Sequence, residues 1–210
     1  MHSQPSARTL HGTAGYAEAA PELAVHWGKL TFENVHAGFL DLLPETPKRV
    51  LDVGSGTGRD AIHLARSGHH VTACEPVDAL REIGCASGAG LDIRWLDDGL
   101  PDLKAVFELD ETYDVVIICG VWHHLNLDER SEGLPRIAQL MRPNALLLLS
   151  LRHGPVPSGR VAFPVSIPTA LEQAERAGLS LVRRHDGDSI QQANRKAGVT
   201  WTRFAFRKRV

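Results

Sequence analysis

The sequence predicts an α/β fold built on a doubly wound, mostly parallel sheet. Two observations predict it. Short apolar, β-rich runs alternate with stretches of helical spacing along most of the chain, the pattern of strands connected by helices on both sheet faces. A triple-glycine turn joins the first such run to a helix, in the segment Leu51-Asp52-Val53-Gly54-Ser55-Gly56-Thr57-Gly58. The 210 residues suffice for one domain with a sizeable core.

The first strand is read over Arg49–Val53, a short run suited to the centre of a parallel sheet. The next helix follows over Arg59–Arg66, with Gly68 as its stop. Between them, glycines at 54, 56 and 58 allow a sharp turn and a close approach to a ligand. The helix start offers free N–H groups and the positive end of its dipole. Spacing separates the possible ligands. A dinucleotide fingerprint needs glycine at 59, where the chain has Arg59. A phosphate-binding P-loop needs Gly-Lys-Ser/Thr at the helix start, which is missing.

The second strand, His70–Cys74, ends at Glu75, placed to accept hydrogen bonds from ribose hydroxyls. The third is read over Leu91–Leu96, followed by Asp97 and Asp98, either of which also suits a turn. The fourth, Asp114–Cys119, leads into Gly120-Val121-Trp122-His123-His124. A helix is expected around Ser131 to Met141, with Pro135 marking a kink or a start. The fifth strand, Ala145–Leu151, is preceded by Pro143-Asn144, where Asn tolerates positive φ, and is followed by Arg152-His153-Gly154. Ser166-Ile167-Pro168-Thr169 reads as a capped helix start running to about Arg176, with Gly178 ending it. Strands over Leu179–Arg184 and Val199–Phe206 close the chain.

Taken together, the G-x-G-x-G loop after an acid, the acid ending the second strand, the acidic pair and the His-rich fourth tip resemble the class I S-adenosylmethionine (SAM)-dependent methyltransferases. The resemblance covers most of residues 16–151, and within the family the chain looks like the small stand-alone members with a G-x-G-x-G-R-D-A loop. It implies a Rossmann-like methyltransferase fold of seven strands, the last antiparallel between its neighbours. It implies SAM as cofactor and S-adenosylhomocysteine (SAH) as product. The family's pattern puts the cofactor against Asp52, Gly54, Ser55, Gly56, Gly58, Arg59, Glu75, Pro76, one of Asp97 and Asp98, Cys119, Gly120 and, from a lid, Tyr16. His123 and His124 then become the candidates for a catalytic base. Trp122, Arg152, His153 and His36 become candidates for holding the methyl acceptor, with Arg152 and His153 suited to an anionic one. The family often has Pro-Gly-Gly where this chain has Pro143-Asn144-Ala145.

The organisation expected is a flexible segment 1–15 and one domain over 16–210, with a helical lid at 16–45 carrying Tyr16, Trp27 and His36. Net charge is −2, and the basic residues of the C-terminal part read as edge protection and solvation rather than as a nucleic-acid footprint. Three cysteines without C-x-x-C spacing fit a reducing cytoplasm. No secretory signal, membrane span or metal motif is read. The expected activity is methyl transfer to an O- or N-nucleophile of a small molecule, by a monomer or homodimer. The alternatives are a SAM- or SAH-binding protein without catalysis and a nucleotide-dependent oxidoreductase, the latter opposed by Arg59.

Overall fold

In the computed structural model, which describes residues 10–210, a 3-10 turn (His11–Thr13) precedes two helices, α1 (Tyr16–Trp27) and α2 (Phe32–Val35). Strands and helices then alternate as β1 (Arg49–Val53), α3 (Arg59–Arg66), β2 (His70–Cys74), α4 (Asp78–Ser87), β3 (Ile93–Leu96), α5 (Lys104–Glu108) and β4 (Tyr113–Ile118). After a 3-10 turn at Trp122–His124 come α6 (Leu127–Leu140), β5 (Met141–His153), α7 (Ile167–Arg176), β6 (Leu179–Asp188), α8 (Gln192–Lys196) and β7 (Thr200–Lys208).

The strands form one sheet in the order β3-β2-β1-β4-β5-β7-β6. The pairs from β3 to β5 are parallel, and β7 runs antiparallel between β5 and β6. The connections run one way from β1 to β3 and the other way from β4, so the chain reverses direction across the sheet between β1 and β4. Ligands of open α/β sheets bind at the carboxyl ends of the strands beside such a reversal.

Period-two alternation divides the strands between two cores. Leu51, Val53, Val116, Ile118, Leu147, Leu149 and Phe204 pack with Leu134, Ile137 and Ala138 of α6 and Ala170 and Ala174 of α7. Val50, Val71, Val115, Ile117, Leu148 and Ala205 face Ala61 and Leu64 of α3 and Phe32 and Phe39. A third cluster docks Ala20, Tyr16 and Trp27 of α1 on Val77, Leu80 and Ile83, so α1 lies on α4 near the strand ends.

Several expectations need correction. The helix expected from Ser131 starts at Leu127, with Pro135 inside it. Its start is a capping box in which the Asn126 side chain accepts the Glu129 N–H and the Glu129 carboxylate accepts the Asn126 N–H, a signal visible as N-x-x-E. The fifth strand is longer than read, because Pro143 and Asn144 are absorbed as an irregularity between Met141 and Leu146, with Asn144 at φ 63°. Residues 1–9 of the segment expected to be flexible lie outside the described residues. Gly12, from the same segment, lies beside the 3-10 turn after β4, where an added Cβ would come 2.6 Å from the Cβ of His124. Among the described residues, no helix is long and apolar enough to cross a membrane.

Asn126→Ala removes one half of the capping box and is expected to cost about 1 kcal/mol in urea unfolding.

Candidate active site

A cavity of about 320 Å³ opens over the carboxyl ends of β2, β1, β4, β5 and the adjoining part of β7. It is lined in that order by Glu75, by Gly54, Ser55 and Gly56, by Cys119 and Gly120, by Ser150 and Arg152, and by Trp201 and Arg203. Four inter-strand steps of about 4.8 Å make this a trough of roughly 19 Å. Leu10, Pro76, Val77, Leu80 and Leu100 wall the Glu75 end, and Tyr16 and Trp27 of α1 contribute from above.

The loop glycines adopt positive φ (68°, 57° and 86° at 54, 56 and 58), as the turn requires. Their missing side chains make room mainly for the protein itself. A Cβ at Gly54 would come 2.3 Å from Val121 Cγ2, and one at Gly58 would come 2.6 Å from Trp95. A Cβ at Gly56 would come 3.1 Å from the Trp27 ring of α1.

Buried carboxylates hold the loop in place. Glu75 is 5% exposed and accepts the Gly56 N–H at 2.8 Å and the Val77 N–H at 2.9 Å. Burial raises its pKa, and the two amide bonds act against that rise. Asp52 accepts the Ala61 N–H at 3.1 Å and so caps α3, whose N-cap, Gly58, has no side chain to do it. Burial, then the neighbouring Asp60 charge, pushes Asp52 upward. Asp60 goes the other way: burial would raise it, but Arg59 and His36 outweigh that and hold it well below the usual carboxylate range. Arg59 donates to both Asp60 oxygens, at 2.6 and 2.9 Å, and to Cys119 Sγ at 3.3 Å, while His36 Nε2 meets Asp60 at 3.0 Å. His36, Asp60 and Cys119 bring three possible metal donors within 4.8 Å of one another. Arg59 already supplies the cation of that cluster, and a metal ion beside it would be repelled.

The two histidines have different tasks. His124 Nδ1 lies 2.6 Å from the Val161 carbonyl, which can only accept, so Nδ1 carries the proton. Nε2 is then the acceptor for the Tyr16 hydroxyl at 2.8 Å. His124 thereby ties α1 to the tip of β4, and the Arg160 guanidinium covers the Tyr16 ring at 3.5 Å. His123 is 5% exposed, and its Nδ1 is buried without a partner. Burial, reinforced by His124 and Arg152, lowers its pKa to about 2, so it is neutral.

Of the residues expected to meet the cofactor, Asp52, Gly54, Ser55, Gly56, Arg59, Glu75, Pro76, Cys119, Gly120 and Tyr16 share this cavity. Gly58, Asp97 and Asp98 do not line it. Asp98 instead accepts the Gly99 and Val106 N–H groups at the start of α5, and exposed Asp97 pairs with Arg81. Of the residues expected at the acceptor, Arg152 lines the cavity and three do not. Trp122 is 1% exposed in the core under α6. His153 bonds Thr202 Oγ1 at 3.0 Å, and His36 lies behind the cavity on Asp60. In the sequence, Trp201 and Arg203 stand out only as members of the last strand, the second of them basic. Their alternation shows that they share a face, but not that the face is the cavity's.

The fold and site fit SAM. The Glu75 carboxylate, the turned loop, the apolar wall of Pro76, Val77 and Leu80, and the unpartnered buried Oγ of Ser55 make a cradle with a carboxylate at one end and free polar atoms at its middle. A model of the methyltransferase-domain family matches residues 27–202, and the chain belongs to that family, that of the class I SAM-dependent methyltransferases. It is similar to an uncharacterised methyltransferase of Mycobacterium bovis, 26% identical over 113 residues that make up 50% of this chain and 40% of the relative. A ubiquinone biosynthesis O-methyltransferase of Rickettsia conorii is 30% identical over 146 residues, 67% of this chain and 47% of that one. The chain thus spans less than half the length of these curated relatives. The crystal structure of a TehB-like SAM-dependent methyltransferase from Corynebacterium glutamicum matches with a TM-score of 0.68 at 22% identity, over 92% of this chain and 96% of that one, a likeness of fold.

Unfolding exposes His123 to water, where it titrates near 6.5. The unfolded chain then binds the extra proton, so this histidine's contribution to stability is lost as pH falls below about 6.5, by up to about 1.4 kcal/mol per pH unit. Asp52, raised in the fold, acts in the opposite sense. The comparison of variants isolates the histidine: between pH 7.5 and 5.5 the denaturation midpoint of His123→Gln is expected to fall less steeply than that of the wild type.

Proposed function

We propose that the protein transfers the methyl group of SAM to a small-molecule acceptor, with the cofactor over β2, β1 and β4 and the acceptor over β4, β5 and β7. The observation that carries this reading is the order of side chains along the trough. A buried carboxylate stands at one end, the glycine loop follows, and a neutral, unpartnered histidine stands beyond it.

Glu75 is the group suited to the ribose hydroxyls, since its carboxylate retains lone pairs after taking two amide bonds. Pro76, Val77, Leu80 and Leu100 offer the apolar wall that a purine ring needs. Ser55, Gly56 and Gly120 are the groups suited to the methionine portion, and Tyr16 closes over it. When bound, the cofactor supplies an electrophilic methyl group on a sulfonium, and the positive charge disappears as the methyl leaves. The protein has little acid catalysis to do. Its tasks are to align the acceptor, exclude water and take up a proton if the nucleophile is O–H or N–H.

His123 is the residue placed to hydrogen-bond the nucleophile and orient it, since a ring whose pKa burial lowers to about 2 is too weak a base to hold that proton. His124 has both ring nitrogens engaged, whereas His123 Nδ1 has no partner. Because burial keeps His123 neutral, it accepts a hydrogen bond from the acceptor at any physiological pH. The three cysteines are free, which supports a reducing, cytoplasmic setting.

Calorimetry tests the cofactor: SAM and SAH are expected to bind and NADH is not, and the reverse would sink the reading. Glu75→Ala is expected to weaken SAH binding by about 1–3 kcal/mol, roughly 5- to 150-fold in Kd. An unchanged Kd would remove Glu75 from the cofactor site. With an acceptor found by screening for SAH release, His123→Ala should lower kcat by roughly 100-fold or more while SAH affinity stays the same. A kcat within about threefold of the wild type would show that His123 does not orient the acceptor.

A further inference from the structure

The basic residues of the C-terminal part are mostly spent within the fold. Arg183 donates to Asp41 and the Gly38 carbonyl, and Arg184 pairs with Asp186. Arg195, Arg207, Lys208 and Arg209 donate to backbone carbonyls. Arg203 differs. Among the described residues no hydrogen bond or ion pair reaches its side chain, and its Nε is buried without a partner. Its guanidinium lies over the Trp201 ring at 5.6 Å, and the residue lines the cavity.

Strand register explains the placement. Ser150 pairs with Arg203 and Arg152 pairs with Trp201 in the antiparallel β5–β7 ladder. Paired residues, and residues two apart, share a face, so these four side chains form one patch. Arg152 donates to the Gly154 carbonyl and has no carboxylate partner among the described residues. The acids on the cavity wall are committed elsewhere. Asp60 belongs to Arg59 and His36, Glu75 and Asp52 hold backbone amides, and Glu129 closes the α6 cap. The nearby Cys119 thiol is pushed up by burial and stays neutral. This end of the trough therefore holds Arg152 and Arg203, with Arg160 over the Tyr16 ring nearby, together with neutral histidines and no counter-anion from the described residues. A guanidinium removed from water without a partner destabilises the fold, and its planar fork of donors matches a carboxylate.

Resting on the methyl-transfer reading, we propose that the acceptor is a carboxylate-bearing small molecule, held by Arg203 and Arg152 with its nucleophilic atom toward His123. Arg203 is then a specificity-determining residue for the substrate rather than a surface charge.

The test is equilibrium binding to the full chain, with and without SAH, of three matched pairs: acetate and acetamide, benzoate and benzamide, indole-3-acetate and indole-3-acetamide. The expected result is that at least one carboxylate binds about tenfold or more tightly than its amide. Arg203→Met should abolish that preference, with SAH affinity within about twofold of the wild type and an unliganded melting temperature no lower, because a partly buried cation with an unpartnered Nε has been removed. If Arg203→Met fails to fold, Arg203→Lys carries the test. It keeps the charge but loses the fork, and should weaken the preference with SAH binding intact. Carboxylates that bind no better than amides, or not at all, overturn the proposal. So does an equal loss of SAH affinity in either variant, which would assign Arg203 to the carboxylate of the cofactor. Failure of the wild type to bind SAM or SAH would instead refute the methyl-transfer reading and leave the carboxylate preference to be judged by itself.

Discussion

Between β1 and β2, one buried carboxylate joins two strand ends. Glu75 receives the Gly56 N–H with one oxygen and the Val77 N–H with the other, so the glycine loop, the tip of β2 and the start of α4 are held together. The loop is pinned through its backbone, and the Gly54 and Ser55 N–H groups also donate to the Cys74 carbonyl at the end of β2. Its shape depends on that carboxylate and on Asp52, which occupies the amide at the start of α3. Below them the Arg59–Asp60–His36 set carries the buried charge and ties α2 to α3. A polar network of this kind stabilises only when its members are satisfied, and here each carboxylate has at least one donor. The rest of the trough is laid out from this fixed end.

Charge is unevenly distributed along that trough. At the Glu75 end the acids are matched by amides or by Arg59. At the β5–β7 end, Arg152 and Arg203 face the cavity with no acid among the described residues beside them. Between the two ends stand two neutral histidines, one held by Tyr16 and Val161 and the other with a buried Nδ1 that has no partner. Such a gradient suits two ligands of different character in one continuous cavity. The insertion of β7 beside β5 creates it, because an antiparallel strand brings residues from the end of the chain to the carboxyl edge of the parallel strands.

Much of this could be read before any fold was known. The limits of β1, α3 and β2 follow from local pattern, and so does α7, whose Ser166 cap accepts the Thr169 N–H. The errors have local causes too. Pro135 overrode an N-x-x-E capping signal that placed the true start of α6 at Leu127. Asp97 and Asp98 stand at a turn, where capping α5 competes successfully with facing a ligand. Trp122 and His36 sit near the site in sequence, but the 3-10 turn after β4 and the packing of α2 on α3 direct them into the core.

By itself the sequence determined the α/β class, the glycine turn, the acid at the end of β2 and the family, because each depends on contacts within a few residues or on motif order. Only the tertiary structure decided that His124 has both ring nitrogens engaged while His123 Nδ1 has no partner, and that Arg203 rather than His153 lines the cavity. Those outcomes rest on pairing between segments far apart in the chain: α1 with the β4 tip, and β5 with β7. A one-residue change in that register would turn Arg203 to the opposite face of the sheet, and nothing in the local sequence of β7 specifies which face the cavity occupies.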